Sequence, residues 1–438
     1  MRFRGMQRRR ITSIASAALG LLLVGLSAGS AQAETIRARQ WYLDAMHAPE
    51  IWKTSTGRGV TVALIDSGVD DSLADLKGQV LDGKDFSSLR GDEHTDVAGH
   101  GTSMAAIIAA TGALGGVDAS YGLAPGAKIL PIRMLDSQEV SGPMDATTEY
   151  SEKLAQAIRY AADSKAQIIN MSLALSDSPG HHDVGTPELA AAVRYALSKG
   201  KLLFAGVGNR GDKENLPSYP ASTPGVVGVG AADRDATVAA FSQRGPEVDM
   251  VAPGVDMVHA CASATQLCKT QGTSDATAIA SASAALIWSA HPNWTNNQVL
   301  RVMLKTLGKP SDGSNRNDVL GYGAVRPRRA FTQPVDPGPA DVYPLPDLAA
   351  AAAKSPSSKA PKHTAPPKHE NAAPKSSEGG NTLLWTGVGI AAALLIGAVV
   401  TVGVLRSRRR TPATPPPPTY PPYIPAPADS QHRTDQNP

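Results

Sequence analysis

Five short apolar runs punctuate the middle of this chain, at residues 59–65 (Gly-Val-Thr-Val-Ala-Leu-Ile), 127–134, 167–173, 201–207 and 225–231. Each is nearly continuous in hydrophobicity instead of alternating apolar with polar. A strand with one face in water alternates, whereas a strand covered on both faces does not. These runs therefore predict a parallel sheet packed between helices. The spacers agree. Residues 152–162 and 187–197 repeat apolar positions at helical spacing, and Pro187 fits a first helical turn capped by Thr186. Strand–helix alternation predicts an α/β fold: a doubly wound, mostly parallel sheet with helices on both faces. Such sheets carry their chemistry beyond the carboxyl ends of their strands.

The basic excess lies outside this region. Lys+Arg 42 against Asp+Glu 39 gives +3, yet nine arginines sit in two acid-free stretches, residues 1–10 and 406–410. Without them 33 basic residues face 39 acidic ones, a net −6, which argues against nucleic acid as a partner. Both basic stretches flank apolar segments. Arg8, Arg9 and Arg10 precede the apolar run 14–26 and then Ala31-Gln32-Ala33, the order of a secretory signal peptide over residues 1–33. Residues 383–405 hold no charge in 23 positions. That length crosses a hydrocarbon core of roughly 30 Å, so a transmembrane helix is expected at 382–405. Arg406, Arg408, Arg409 and Arg410 follow, which puts the Pro-rich tail 406–438 in the cytoplasm. Everything between Ala33 and the span then lies outside the cell. Residues 334–381, rich in Pro, Ala, Lys and Ser, read as a semi-extended linker. Function is confined to about residues 36–333.

Four residues there end apolar runs or begin helices. Asp66 follows the run ending at Ile65 and precedes a Ser67-Gly68 turn. His100 stands in Gly99-His100-Gly101-Thr102, at the head of an Ala-rich helix. Ser274 stands in Gly272-Thr273-Ser274, at the head of a long small-residue helix over 276–290. Asn209 ends the run 201–208. Each alone is equally an ordinary turn, loop, helix cap or turn amide. Together they supply an orienting carboxylate, a base, a nucleophile and an oxyanion donor.

Val62-Ala-Leu-Ile-Asp66-Ser-Gly-Val69, Gly99-His100-Gly-Thr102 and Gly272-Thr-Ser274 resemble the three signature blocks of the subtilisin-like serine proteases, in that family's Asp, His, Ser order. Ile168-Ile-Asn170-Met-Ser172-Leu, Tyr219-Pro220-Ala221, Val251-Ala-Pro253-Gly254 and Gly321-Tyr-Gly323-Ala-Val325 extend the resemblance over about residues 40–330. It implies a subtilisin-like peptidase domain at 59–333, with Asp66, His100 and Ser274 catalytic and Asn209 in the oxyanion hole. It also implies that Ser172, Leu173 and Ala174 line the primary substrate pocket, and that no metal or cofactor is needed. Subtilases commonly have an apolar residue and Pro where this chain has Asp275 and Ala278.

The architecture is similar to that of the mycosins, membrane-anchored subtilases of type VII secretion: export signal, a short lead from Ile36 to His47, Pro-rich tether, one span. Only 32 residues separate Ala33 from Asp66. A folded propeptide does not fit, so residues 34–58 are expected to stay attached as an extension wrapping the catalytic domain. The expected partners are a protein or peptide substrate, the membrane and components of a type VII secretion complex. Two alternatives stand beside a processing protease: a scaffold within a membrane complex, and a broad scavenging protease at the surface.

Cys261 and Cys268 are expected to form a disulfide closing a hairpin, with a free reactive pair as the alternative. So short a loop adds about 2–3 kcal/mol of stability. His181-His182-Asp183 reads as a surface loop, because adjacent His rarely converge on one ion. Asp92, Glu93, His94 and Asp96 are open to two readings, a solvated acidic turn or a cation site.

Overall fold

The computed structural model describes residues 35–135, 144–177, 184–263, 266–333 and 335–354. The expected signal peptide, membrane span, cytoplasmic tail and His181-His182-Asp183 loop lie outside them. Among the described residues no helix is long and apolar enough to cross a membrane.

All five apolar runs become strands. Three short helices, α1 (Ile36–Arg39), α2 (Trp41–Ala45) and α3 (Ala48–Ile51), lead into β1 (Thr61–Asp66) and β2 (Lys84–Asp85). Then come α4 (His100–Ala109), β3 (Lys128–Arg133), α5 (Met144–Asp163), β4 (Ile168–Met171), β5 (Leu175–Ser176) and α6 (Pro187–Ser198). They are followed by β6 (Leu202–Gly206), β7 (Ser218–Tyr219), β8 (Val227–Ala232), β9 (Met250–Pro253), β10 (Met257–Ala260) and β11 (Leu267–Thr270). The helices α7 (Thr273–Ala290), α8 (Asn296–Thr306), α9 (Arg328–Thr332) and α10 (Asp347–Lys354) complete the described chain.

Seven strands form one sheet in the order β2-β3-β1-β4-β6-β8-β9, and every pairing in it is parallel. Its two faces explain the unbroken hydrophobicity. Val62 and Leu64 of β1 join one core with α4, α7 and α8, while Ala63 and Ile65 join a second core with α5 and α6. Each fully buried aliphatic side chain contributes about 1.5–3 kcal/mol, and a polar residue such as Asn170 is buried between sheet and helix only with its hydrogen bonds made. The nearly all-small face of α7 lets it lie close against the sheet. Two of its buried hydroxyls are satisfied within the helix, as Thr277 Oγ1 donates to Thr273 O at 2.7 Å and Ser283 Oγ to Ile279 O at 2.8 Å.

Helix α6 begins as expected at Pro187, and the Thr186 hydroxyl accepts from the Leu189 N–H at 3.2 Å. Helix α5 starts eight positions earlier than the expected 152, at Met144. Its first residues, 144–149, are mostly polar in sequence and carry no apolar period.

The N-terminal extension is part of the body. Gln40, fully buried, donates to Tyr121 O at 2.8 Å and accepts from Tyr121 N at 3.0 Å. Tyr42, also fully buried, donates to Val258 O at 3.2 Å, and Ser55 Oγ donates to Leu286 O at 2.7 Å.

The first described residues of the expected linker 334–381 are 335–354. Residues 335–354 pack onto the fold: Arg301 Nη1 donates to Pro337 O at 2.7 Å and Pro339 O at 2.8 Å, and Gln298 Nε2 to Gly338 O at 3.0 Å. Leu345 is buried, and the Gly225 N–H donates to Asp347 Oδ2 at 2.5 Å. A Pro-rich segment has no period to read, but its free carbonyls suit the donors of α8.

Near this segment Asp249 is half-buried, and its Oδ2 accepts from Gly228 N at 3.0 Å. Burial pushes its pKa up to about 8. The folded state therefore keeps a proton between about pH 4 and 8 that the unfolded chain releases, and stability falls as pH rises through that window. Asn preserves the acceptor without the charge. Asp249→Asn should leave Tm near that of the parent at pH 4 and exceed it by several degrees at pH 8. Calorimetry at the two pH values checks this, and an unchanged gap would refute it.

Candidate active site

Asp66 is the last residue of β1, a central strand with neighbours on both sides, so its carboxylate emerges at the carboxyl edge of the sheet. Its Oδ1 lies 2.7 Å from His100 Nδ1 and accepts from Ser67 N at 2.8 Å. Burial pushes the Asp66 carboxyl above its ordinary range, opposed by the charge and hydrogen bond of His100. The side chain of Asp66 is 4% exposed and that of His100 26%. One partner is thus sealed behind the other, and the imidazole alone reaches the surface.

Ser274 sits in the first turn of α7, tied to the ends of two other strands. Its hydroxyl donates to Ser172 O at 3.1 Å, and Ser172 Oγ donates back to Ser274 O at 3.0 Å. Thr273 N donates to Asn209 Oδ1 at 2.9 Å, and Gly208 N to Thr273 Oγ1 at 3.2 Å. With its oxygen engaged, Asn209 turns Nδ2 toward the helix start, 3.5 Å from where a Cβ on Gly272 would stand.

His100, Asn209 and Ser274 line one cavity of about 450 Å³, together with Asp275, Thr270, Cys261 and Cys268. The two cysteines are joined in a disulfide, with Cα atoms 5.8 Å apart, on the β10–β11 hairpin that walls one side. Of the residues expected to line the substrate pocket, Ser172 holds Ser274 in place. Leu173 is buried in the core with α5 and α6, and neither it nor Ala174 lines this cavity.

The family follows from a second line of comparison. The subtilase family model matches residues 57–323. The chain belongs to the subtilase family of serine endopeptidases. The major intracellular serine protease of Bacillus subtilis (strain 168) is 36% identical over 254 residues, 56% of this chain and 74% of that protein. The chain spans 63%, 64% and 59% of the length of three further curated serine proteases that it matches. Among solved structures, MycP1 from the ESX-1 type VII secretion system matches with a TM-score of 0.60 at 26% identity, over 71% of this chain and 90% of that one. A chain of the intact ESX-5 inner membrane complex matches with a TM-score of 0.60 at 26% identity, over 86% of this chain and 91% of its own.

In this subtilase the Asp66–His100 pair is held by Asp96, read from the sequence only as part of a solvated acidic turn or a cation site, and by Ser67. Asp96 Oδ1 accepts from Gly99 N and Ser67 Oγ, both at 2.8 Å, and Oδ2 accepts from the Thr102 N–H at 2.8 Å. Ser67 Oγ accepts from Gly101 N at 3.0 Å. Two orphan N–H groups of α4 are thereby satisfied, and a negative charge meets its N-terminus. The acidic turn is a helix-fastening device. Its signal was an Asp shortly before a helix start, masked by the acids around it. Asp275 and His259, buried behind Ser274, were not given a role.

Close approach of α4 to β1 depends on Gly101, where an added Cβ would stand 2.0 Å from Gly68 O and 3.2 Å from Asp66 Oδ1. Gly101→Ala should force the helix start away from the carboxylate. We expect kcat/KM on a peptide substrate to fall by about 10²-fold, the scale of a misplacement near 1 Å. Undiminished kcat/KM would contradict this account.

Proposed function

We propose that this chain is an exported, membrane-anchored subtilase that cleaves peptide bonds with Ser274 as nucleophile, His100 as general base and then acid, and Asp66 as orienting carboxylate. One observation carries the reading: the imidazole held by Asp66 at 2.7 Å lines the same cavity as Ser274 and Asn209.

Bonding to Asp66 puts hydrogen on His100 Nδ1 and leaves Nε2 as the base. When substrate enters, the Ser274 hydroxyl turns from Ser172 O to Nε2. Its proton passes to the imidazole as Oγ attacks the peptide carbonyl. Asn209 Nδ2 and the Ser274 N–H donate to the resulting oxyanion. The Asn donor is worth about 3–4 kcal/mol of transition-state stabilisation, a scale set by subtilisin itself. His100 then protonates the leaving amine, and water releases the acyl group by the same route.

Residues 1–33 serve as signal peptide, 382–405 as the single span and 406–438 as the cytoplasmic tail, a reading supported by the apolar runs and their arginine flanks. The buried Gln40 and Tyr42 support an extension, residues 34–58, that stays attached instead of being cleaved for activation. Likeness to MycP1 supports substrates among the proteins of a type VII secretion system.

Likeness to a chain of the ESX-5 inner membrane complex favours a second role, as a scaffold in such a complex. Secretion that survives Ser274→Ala but not deletion of the whole chain would give the scaffold precedence.

A fluorophosphonate should label Ser274, and Ser274→Ala should abolish both labelling and peptide hydrolysis while the protein still accumulates. Labelling at another residue, or unchanged turnover in the variant, would overturn the assignment. N-terminal sequencing should place the mature start near residue 34; a start well beyond Trp41 would remove the retained extension.

A further inference from the structure

Three polar residues behind Ser274 have no part in the mechanism above. They are Asp275 on α7, Thr270 at the end of β11 and His259 on β10. His259 is 0% exposed and Asp275 2%. His259 Nδ1 lies 2.9 Å from Ala260 O, and its Nε2 lies 2.9 Å from Thr270 Oγ1. The Thr270 hydroxyl is in turn hydrogen-bonded to Asp275 Oδ1.

Counting hydrogens along this row leaves little freedom. A carbonyl oxygen only accepts, so His259 Nδ1 carries a hydrogen. Thr270 has one hydrogen for two neighbours. If Asp275 is ionised, that hydrogen serves the carboxylate, and His259 Nε2 must carry its own, making an imidazolium. If His259 is neutral, Nε2 accepts from Thr270, and Asp275 Oδ1 must carry the hydrogen donated to the Thr270 oxygen. Both arrangements hold one proton more than a neutral imidazole plus a carboxylate. Removing it leaves a buried acceptor without a donor, at about 1–3 kcal/mol.

We propose that Asp275 is a positioning residue of this active site, sharing one buried proton with His259 through Thr270, and that release of this proton sets a negative charge beside His100. The proposal rests on the reading of His100 as base and Ser274 as nucleophile. The groups facing Asp275 are Thr270, with His259 behind it, His100, with Asp66 beyond it, and the buried Tyr42 of α2, whose hydroxyl is engaged by Gln40 and Val258 O. Burial pushes the Asp275 carboxyl up to about 6 and the His259 imidazole down to about 4, so the shared proton resides on Asp275. This contrasts with the apolar residue that subtilases commonly carry after the serine.

The sign of the effect follows. As pH rises past about 6 Asp275 becomes negative and favours the charged form of His100. His100 then gives up its proton at higher pH than it would alone, and the acid limb of kcat/KM lies correspondingly higher. Asp275→Asn removes the charge. Its acid limb should move to lower pH, raising activity between pH 6 and 7, where the parent's Asp275 is ionised, by about two- to threefold relative to the plateau. His259→Leu frees the Thr270 hydrogen for the carboxylate, so Asp275 ionises earlier and the limb should move to higher pH. Opposite displacements are expected, measured on one peptide substrate between pH 5 and 8. Superimposable limbs, or displacement of both in one direction, would overturn the proposal.

Infrared difference spectra of the full-length Ser274→Ala protein provide a readout independent of turnover. A protonated-carboxyl band titrating near pH 6, and displaced to lower pH in the Ser274→Ala/His259→Leu double variant, is expected. Its absence would refute the shared proton even if the catalytic assignment stands. Conversely, turnover retained by Ser274→Ala would remove the catalytic assignment while the band still reports on the proton.

Discussion

The site depends on how the first turn of α7 is fastened to the sheet. Ser172 and Ser274 exchange hydrogen bonds in both directions, and Thr273 is held by Gly208 and Asn209. These four bonds join the helix start to the ends of β4 and β6, strands distant in sequence. Behind them Ser281 Oγ donates to Asn170 Oδ1 at 2.8 Å, and Asn170 Nδ2 to Ser172 Oγ at 2.9 Å. A buried row of satisfied polar groups thus runs from the middle of α7 to the residue that holds Ser274. Networks of this kind specify one arrangement strongly, because each broken link leaves a buried group unpaired.

A second fastening works on the other side of the cavity. Asp96, Ser67 and Thr102 bind the start of α4 to the end of β1, and the absence of a Cβ at Gly101 lets them close. The two helix starts converge because the parallel sheet sends every strand out at the same edge. Helices on opposite faces would not do so; α4 and α7 lie on the same face and share one core. The β10–β11 hairpin, clipped by its disulfide, then walls the cavity and brings His259 and Thr270 to Asp275. The polypeptide on both sides of the catalytic region belongs to the same body. Gln40 and Tyr42 are as deeply buried as the strands, and Arg301 draws in the Pro-rich segment after α9.

What could be read beforehand was set by local rules. Unbroken apolar runs mark strands covered on both faces, whatever lies next to them, so the sheet and its doubly wound character were legible. Asp66, His100, Asn209 and Ser274 were legible as candidates because each stands where a run ends or a helix begins. Less was visible where the decisive partner is remote in sequence. The start of α5 was missed because polar turns carry no period. The packing of residues 335–354 was missed because proline carbonyls find their donors only on α8. Leu173 and Ala174 followed Ser172 in the chain, yet Leu173 turned to the opposite core, as neighbours leaving a strand do.

By itself, then, the order of residues determined the layers of this protein, its chemistry-bearing strand ends and its cysteine-closed hairpin, since all of these follow from interactions within a few residues. Only the tertiary structure decided that Asp66 would be sealed behind His100, that Asp96 would fasten α4, and that Asp275 would meet His259 across Thr270. Burial and proton sharing are properties of the surroundings, and those surroundings exist only once the distant strands have come together.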